Sequence, residues 1–297
     1  MVLISEKSSN VSIRIIHHWA CSGGTIISRS IANLQDVVLL SEVHPLAYLR
    51  LAKPKPSYTP TDIIQQLCLP HNNSDPVLCV AAWRGAITEL ARKMVETNKV
   101  LVLRNHSHID FFTGAQPETE HFITRILKDI HVIDALLTVR HPLDSWISIK
   151  CQHWDRHFRF STFNEFCNRA NLLVEASEGL PFIRYEEFTI NPKEGLESIC
   201  KILKIKPETT QPSALDAVTL SGDSGRRSNK IQPRRRRPIP EAVEAEIQAM
   251  DKHRDGSAYL RLCSKLGYNP DPIAKHPFLS TTYQPARSSA TLDDIIP

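Results

Sequence analysis

Residues 11–33 read VSIRIIHHWACSGGTIISRSIAN, and the pattern of this stretch decides the fold. Residues 11–16 form a β-rich run. Cys21-Ser22-Gly23-Gly24-Thr25 is a short turn, after which Ile27, Ile31 and Leu34 recur at i, i+4 and i+7, a helical stripe. Strand, glycine-rich turn and helix is the arrangement in which backbone N–H groups and a helix N-terminus converge on an anion. Paired glycines let the chain approach a phosphate with no Cβ in the way. The same dipeptide serves packing alone in many α/β proteins, so its meaning depends on what the rest of the chain supplies.

A chain of 297 residues can bury a full core, which favours one domain with an added segment. With 41% hydrophobic and 23% charged residues, the composition is that of an ordinary soluble globular protein. No run approaches the roughly 18 apolar residues of a membrane span. The opening MVLISEKSSN lacks the basic head, apolar middle and cleavage site of a secretory signal, so a cytoplasmic location is expected. Seven cysteines are odd in number, scattered and without CxxC spacing. Cys167, Cys200 and Cys263 read as small buried hydrophobes, and only Cys21, in the turn, is a candidate reactive thiol. The net charge of +4 is mild, but Arg226, Arg227, Lys230 and Arg234 to Arg237 crowd into twelve residues, which points to an anionic ligand.

Further along, residues 37–40 and 100–103 are short apolar runs suited to parallel strands buried on both faces. Residues 135–139 and 181–185 supply a fourth and a fifth strand. Helices are expected at 83–95, 122–127, 162–176, from 191, at 240–253 and at 258–266. Thr162 with Glu165 has capping-box spacing, Asn191-Pro192 reads as a helix start, and Gly267 closes the last helix. Residues 45–98 hold a proline-rich insertion that would cap a substrate, 221–240 read as a loop, and 271–297 as a loose tail after a domain of residues 1–270. Strands separated by helices predict an α/β fold with a central parallel sheet.

The second motif is Arg140-His141-Pro142-Leu143-Asp144-Ser145-Trp146-Ile147-Ser148, at the end of the fourth strand. A guanidinium fork suits a phosphate bidentately, and a hydroxyl on the following helix adds a neutral donor. GxxxxGK[ST], the triphosphate-binding loop, is not present, because Gly24 stands where it requires Lys. The pair of motifs resembles the PAPS-dependent sulfotransferases, PAPS being 3′-phosphoadenosine 5′-phosphosulfate. SGGT is similar to their 5′-phosphosulfate loop, and R-x-P-x-D followed by Ser148 to their 3′-phosphate motif. The family features run from about Ile13 to Tyr268 and include Arg184-Tyr185-Glu186-Glu187.

The resemblance implies a three-layer α/β sandwich of the P-loop NTPase-like kind. PAPS would be the sulfuryl donor, held by Ser22, Gly23, Gly24, Thr25, Ile26, Arg140 and Ser148, with Arg226 and Arg227 in a late basic loop. The base would be His106, in Arg104-Asn105-His106, or Glu42, in Glu42-Val43-His44. The family's loop lysine is missing, since Cys21 and Ser22 occupy its place, and Arg29 or Arg104 would have to supply the charge. No Asp-rich metal motif accompanies the loop, so no metal is expected. The acceptor would be a small molecule or carbohydrate, with no membrane and no nucleic acid as partner. A P-loop kinase, or a nucleotide- or nucleic-acid-binding protein reading the arginine run, are the alternatives.

Overall fold

In the computed structural model, β1 (Ser12–His18) is the central strand of a five-stranded, all-parallel sheet. The others are β2 (Val37–Val43), β3 (Val100–Asn105), β4 (Val132–Val139) and β5 (Phe182–Arg184), in the order β2-β3-β1-β4-β5. The structure describes residues 11–47, 63–67, 75–114, 116–158, 160–206, 220, 231–251, 257–274 and 277–278. Two stretches of the expected insertion (48–62 and 68–74), the loop 221–230 and the chain beyond 278 therefore lie outside the described residues.

β1 shows why a central parallel strand is apolar on both faces. Ile13 and Ile15 enter one core cluster and Ile16 enters another on the opposite face, all fully buried. On the Ile16 face lie α1 (Gly24–Ala32), α7 (Tyr185–Ile190) and α8 (Pro192–Ile202). Ile27, Ile31, Phe188, Leu196 and Ile199 fill the space between. The Ile13 face is covered by α3 (Pro76–Glu96) and α4 (Phe122–Leu127), through Trp83, Ile87, Ala91, Ile123 and Leu127. α2 (Ile63–Leu67) packs beside α3. The result is the three-layer α/β sandwich with a central parallel sheet.

A third, aromatic cluster joins α5 (Pro142–Cys151), α6 (Phe163–Ala176), α9 (Glu241–Asp251) and α10 (Ala258–Leu266) around Trp146, Phe163, Phe166 and Tyr259. The Thr162 hydroxyl accepts the Glu165 N–H at 3.2 Å, and Gly267 closes α10 at φ 72°. Three expectations are corrected. β2 is an edge strand, half-buried throughout, because β3 inserts between it and β1. Asn191 precedes Pro192 at the start of α8 but makes no side-chain cap. The first residues of the expected tail are tied down: the Asn269 N–H donates to the Pro277 carbonyl, and Phe278 is buried beside Tyr268. Among the described residues no helix is long and apolar enough to cross a membrane.

The sheet order places a switch point between β1 and β4: the connection from β1 runs toward β2 and that from β4 the opposite way to β5, and at such a point open α/β sheets form a crevice at the carboxyl ends. Residues 19–23 leave β1 there, and Arg140 leaves β4. Because Ile16 is sealed between Ile27, Val102 and Leu136, Ile16→Ala should lower unfolding free energy by about 2–5 kcal/mol, measured by urea denaturation. A loss below about 1 kcal/mol would place that side chain outside the core.

Candidate functional site

The turn after β1 is built on left-handed backbone. Cys21 has φ 61° and Gly23 φ 81°. A Cβ at Gly23 would lie 2.1 Å from the Tyr185 ring, so glycine is required there twice over, by dihedral and by contact. Ser22 turns inward: its hydroxyl donates to the Trp19 carbonyl at 2.9 Å and meets the Thr138 hydroxyl at 3.4 Å. The Ile26 N–H donates to the Gly23 carbonyl at 3.1 Å. The N–H groups of Gly23 and Gly24 find no acceptor among the described residues, which leaves two donors at the positive end of α1.

Arg140 reaches this turn from β4. Its Nη1 donates to the Ser148 hydroxyl at 3.1 Å and to the Cys21 carbonyl at 3.3 Å, while its guanidinium lies over the Tyr185 ring at 4.9 Å. Arg140 and Ser148 are thus brought together by the eight-residue spacing, since α5 carries Ser148 back over the strand end. Among the described residues no carboxylate pairs with Arg140, which is half-buried. Behind it, Glu186 is half-buried and accepts the His141 N–H at 2.9 Å and the Tyr268 hydroxyl at 2.7 Å. Burial raises its pKa, and those two donors with nearby Arg140 pull the other way.

Beneath the turn lies Arg104, 3% exposed, its Nε 3.3 Å from where a Gly24 Cβ would stand. Nε donates to His18 Nε2 at 3.1 Å, Nη1 donates to the Ser41 hydroxyl at 3.0 Å, and Nη2 pairs with Glu42 Oε1 at 3.4 Å. A guanidinium only donates, so His18 is neutral with its proton on Nδ1, which faces the Trp19 carbonyl at 3.1 Å. Glu42 has φ 56°, at the point where β2 slips its register on β3 between Leu40 and Val43. Burial raises the Glu42 pKa, against the pull of Arg104. Of the two arginines able to replace the loop lysine, Arg104 is the one under the turn. Arg29 stands in the last turn of α1.

His106 closes this layer. Its ring is buried, its Nδ1 has no partner among the described residues, and the His108 ring meets it edge-on with centroids 3.7 Å apart. Its pKa lies well below the ordinary histidine value, through burial first, then His108, His18 and His44, with Arg104 the smallest cause. Nearby, the Leu46 N–H donates to His44 Nδ1 at 3.1 Å, so Nε2–H is left to donate to Asp110 Oδ1 at 2.8 Å. That pair ties the end of β2 to the π-helical turn Ile109–Thr113, which follows the His106 loop.

The structure therefore gathers Gly23, Gly24, Arg140 and Ser148 at one end of the crevice and Glu42, Arg104 and His106 under the same turn. Ser22 lies in the turn and Ile26 in the first turn of α1, their donors spent on the Trp19 and Gly23 carbonyls, and Arg226 and Arg227 lie outside the described residues. Reading by sequence missed His18, whose imidazole seats Arg104, and the Tyr185 ring against Gly23, because neither contact has a periodic or spaced signature. Among the described residues no set of three or more His, Cys, Asp or Glu side chains is arranged to hold a metal ion.

No family model and no curated protein matches this sequence. Among solved structures, the chain is similar to the sulfotransferase domain of the Synechococcus olefin synthase, at 16% identity over 87% of this chain and 95% of that one, with a TM-score of 0.48. A sulfotransferase from Alicyclobacillus acidocaldarius is similar at 14% identity over 84% and 98%, with a TM-score of 0.42. A mouse sulfotransferase complexed with PAP, 12% identical, is similar over 85% and 88% with a TM-score of 0.41.

The buried imidazoles set an acid limit. Burial is the largest cause that holds His108 down to about 3, and His121 and His141 to about 4. Each is neutral when folded but binds a proton below about 6.5 when unfolded, so its stability contribution is full above that pH and declines as pH falls toward the folded value. Going from pH 7 to pH 5 should cost about 2 kcal/mol per such histidine, read as a falling denaturation midpoint. A midpoint flat across that range would mean that the rings are charged in the folded chain.

Proposed function

We propose that this chain is a PAPS-dependent sulfotransferase, acting on a hydroxyl or amine of a small molecule or carbohydrate and releasing PAP. The observation that carries the reading is Arg140. It is a half-buried cation seated on Ser148 beside a glycine turn, with no carboxylate partner among the described residues. Such an arm fits the 3′-phosphate by charge-assisted hydrogen bonds. Gly23, Gly24 and Thr25 fit the 5′ end, where two unpartnered N–H groups and the N-terminus of α1 offer positive potential. Arg104, below Gly24, supports the reading as the cation that stands in for the absent loop lysine.

PAPS supplies the sulfuryl group that the acceptor oxygen or nitrogen attacks. The chain's part is to hold the acceptor's proton. The His106 ring is neutral, and its Nδ1 finds no hydrogen-bond partner among the described residues, as a base requires. Glu42 is paired with Arg104, which lowers its basicity while burial raises it. His106 is therefore the favoured base, and Glu42 serves chiefly to seat Arg104. The backbone donors of the turn, with Arg104, would stabilise the charge left on the departing phosphate.

PAP should stabilise the fold without metal, by about 2.7 kcal/mol at 100 times its dissociation constant, and ATP with Mg²⁺ should do so less. Thermal shift measures both, and a larger effect of ATP with Mg²⁺ would overturn the proposal in favour of a kinase. His106→Ala should lower kcat by about 10²-fold or more with little change in PAP affinity, and Glu42→Gln should cost less. Steady-state kinetics with an accepted substrate checks the ranking, and its reversal would make Glu42 the base.

A further inference from the structure

One member of the arginine run is not a solvated charge. Arg236 grips the Asp144 carboxylate with a fork, Nε to Oδ1 at 3.0 Å and Nη2 to Oδ2 at 3.3 Å. Its Nη1 donates to the Pro272 carbonyl at 2.7 Å. The two side chains are 16% and 12% exposed. All three guanidinium nitrogens are engaged, so Arg236 itself has little left to offer a phosphate.

Asp144 stands four residues after Arg140 and four before Ser148, on the first turn of α5. Arg140 lies within electrostatic reach of both Asp144 and Glu186, the two carboxylates behind the crevice. Each is already occupied, Glu186 by the His141 N–H and the Tyr268 hydroxyl, and Asp144 by Arg236. This explains how Arg140 can sit close to two acidic side chains and still face Ser148 and the Cys21 carbonyl. A carboxylate mostly removed from water and deprived of its cation draws in another permanent cation within electrostatic reach, here Arg140.

We infer that Arg236 is a positioning residue that keeps Asp144 from capturing Arg140, so that the Arg140–Ser148 arm stays directed at the 3′-phosphate. The inference rests on the reading of that arm given under the proposed function. Arg236 also fastens the segment 231–240 to the carbonyl of Pro272, and a purely structural strap is the rival explanation.

Removal of the carboxylate separates the two. Calorimetric titration of PAP and of adenosine 5′-phosphosulfate, which lacks the 3′-phosphate, would be run on the wild type, Arg236→Ala, Asp144→Asn and the double variant. Arg236→Ala should weaken PAP about tenfold or more, with less than about a twofold change for adenosine 5′-phosphosulfate. Adding Asp144→Asn should restore PAP affinity to within about threefold of wild type. Asp144→Asn alone, isosteric and not dependent on the Arg236 variant folding, should bind PAP at least as tightly as wild type. If Asp144→Asn alone weakens PAP about tenfold, or the double variant stays as weak as Arg236→Ala, Arg236 acts as a strap and the inference fails while the sulfotransferase reading stands. A wild-type chain that binds no PAP overturns both.

Discussion

A guanidinium sealed beneath the first turn of α1 constrains everything around it. Arg104 is 3% exposed, and a buried cation is tolerated only when its donors are met and its charge is balanced. Meeting that demand selects the tautomer of His18, brings Ser41 to Nη1 and bends Glu42 into left-handed backbone so that its carboxylate reaches Nη2. It also bears on Gly24, where a Cβ would crowd both the His18 ring and Nε. The register slip at the end of β2 is thus tied to charge balance under the turn, at a backbone cost of about 1–3 kcal/mol.

The same layer keeps its imidazoles neutral. His17 and His121 stack with centroids 3.5 Å apart, and His106 meets His108 edge-on, arrangements that two imidazolium rings would not share. A neutral ring at a strand's carboxyl end is ready to accept a proton, but one whose pKa lies far below neutrality is a weak base. Chemistry at His106 would then lean on the acceptor's own acidity or on positive charge that stabilises the acceptor oxygen. Arg104 is a buried source of such charge within electrostatic reach of His106.

Charge is partitioned differently at the other end of the crevice. Arg140, Arg236, Asp144 and Glu186 form a sequence of cations and anions in which each acid has a partner other than Arg140. His141 belongs to the same framework: Leu143 donates to its Nδ1, so its Nε2–H points to the Asn269 carbonyl at 2.9 Å. Segments from β4, α5, α7 and the C-terminal stretch meet there. The position of one guanidinium therefore depends on residues more than a hundred positions apart.

The strand–turn–helix of residues 11–33 was legible in sequence because apolar periodicity and paired glycines are local signals, as were the capping of α6 by Thr162 and the closure of α10 by Gly267. That Arg140 and Ser148 belong together was legible only through the resemblance of their spacing to the sulfotransferase motif; their direct hydrogen bond came from the structure. Tertiary structure alone decided the edge position of β2, the inward turn of Ser22, the seat of Arg104 on His18 and the grip of Arg236 on Asp144. Each of these is a pairing between distant segments in which donors, acceptors and charges find partners only after the layers close. An arginine in a run of four has the same local sequence whether it is solvated or holds a carboxylate; its three-dimensional neighbours make the difference.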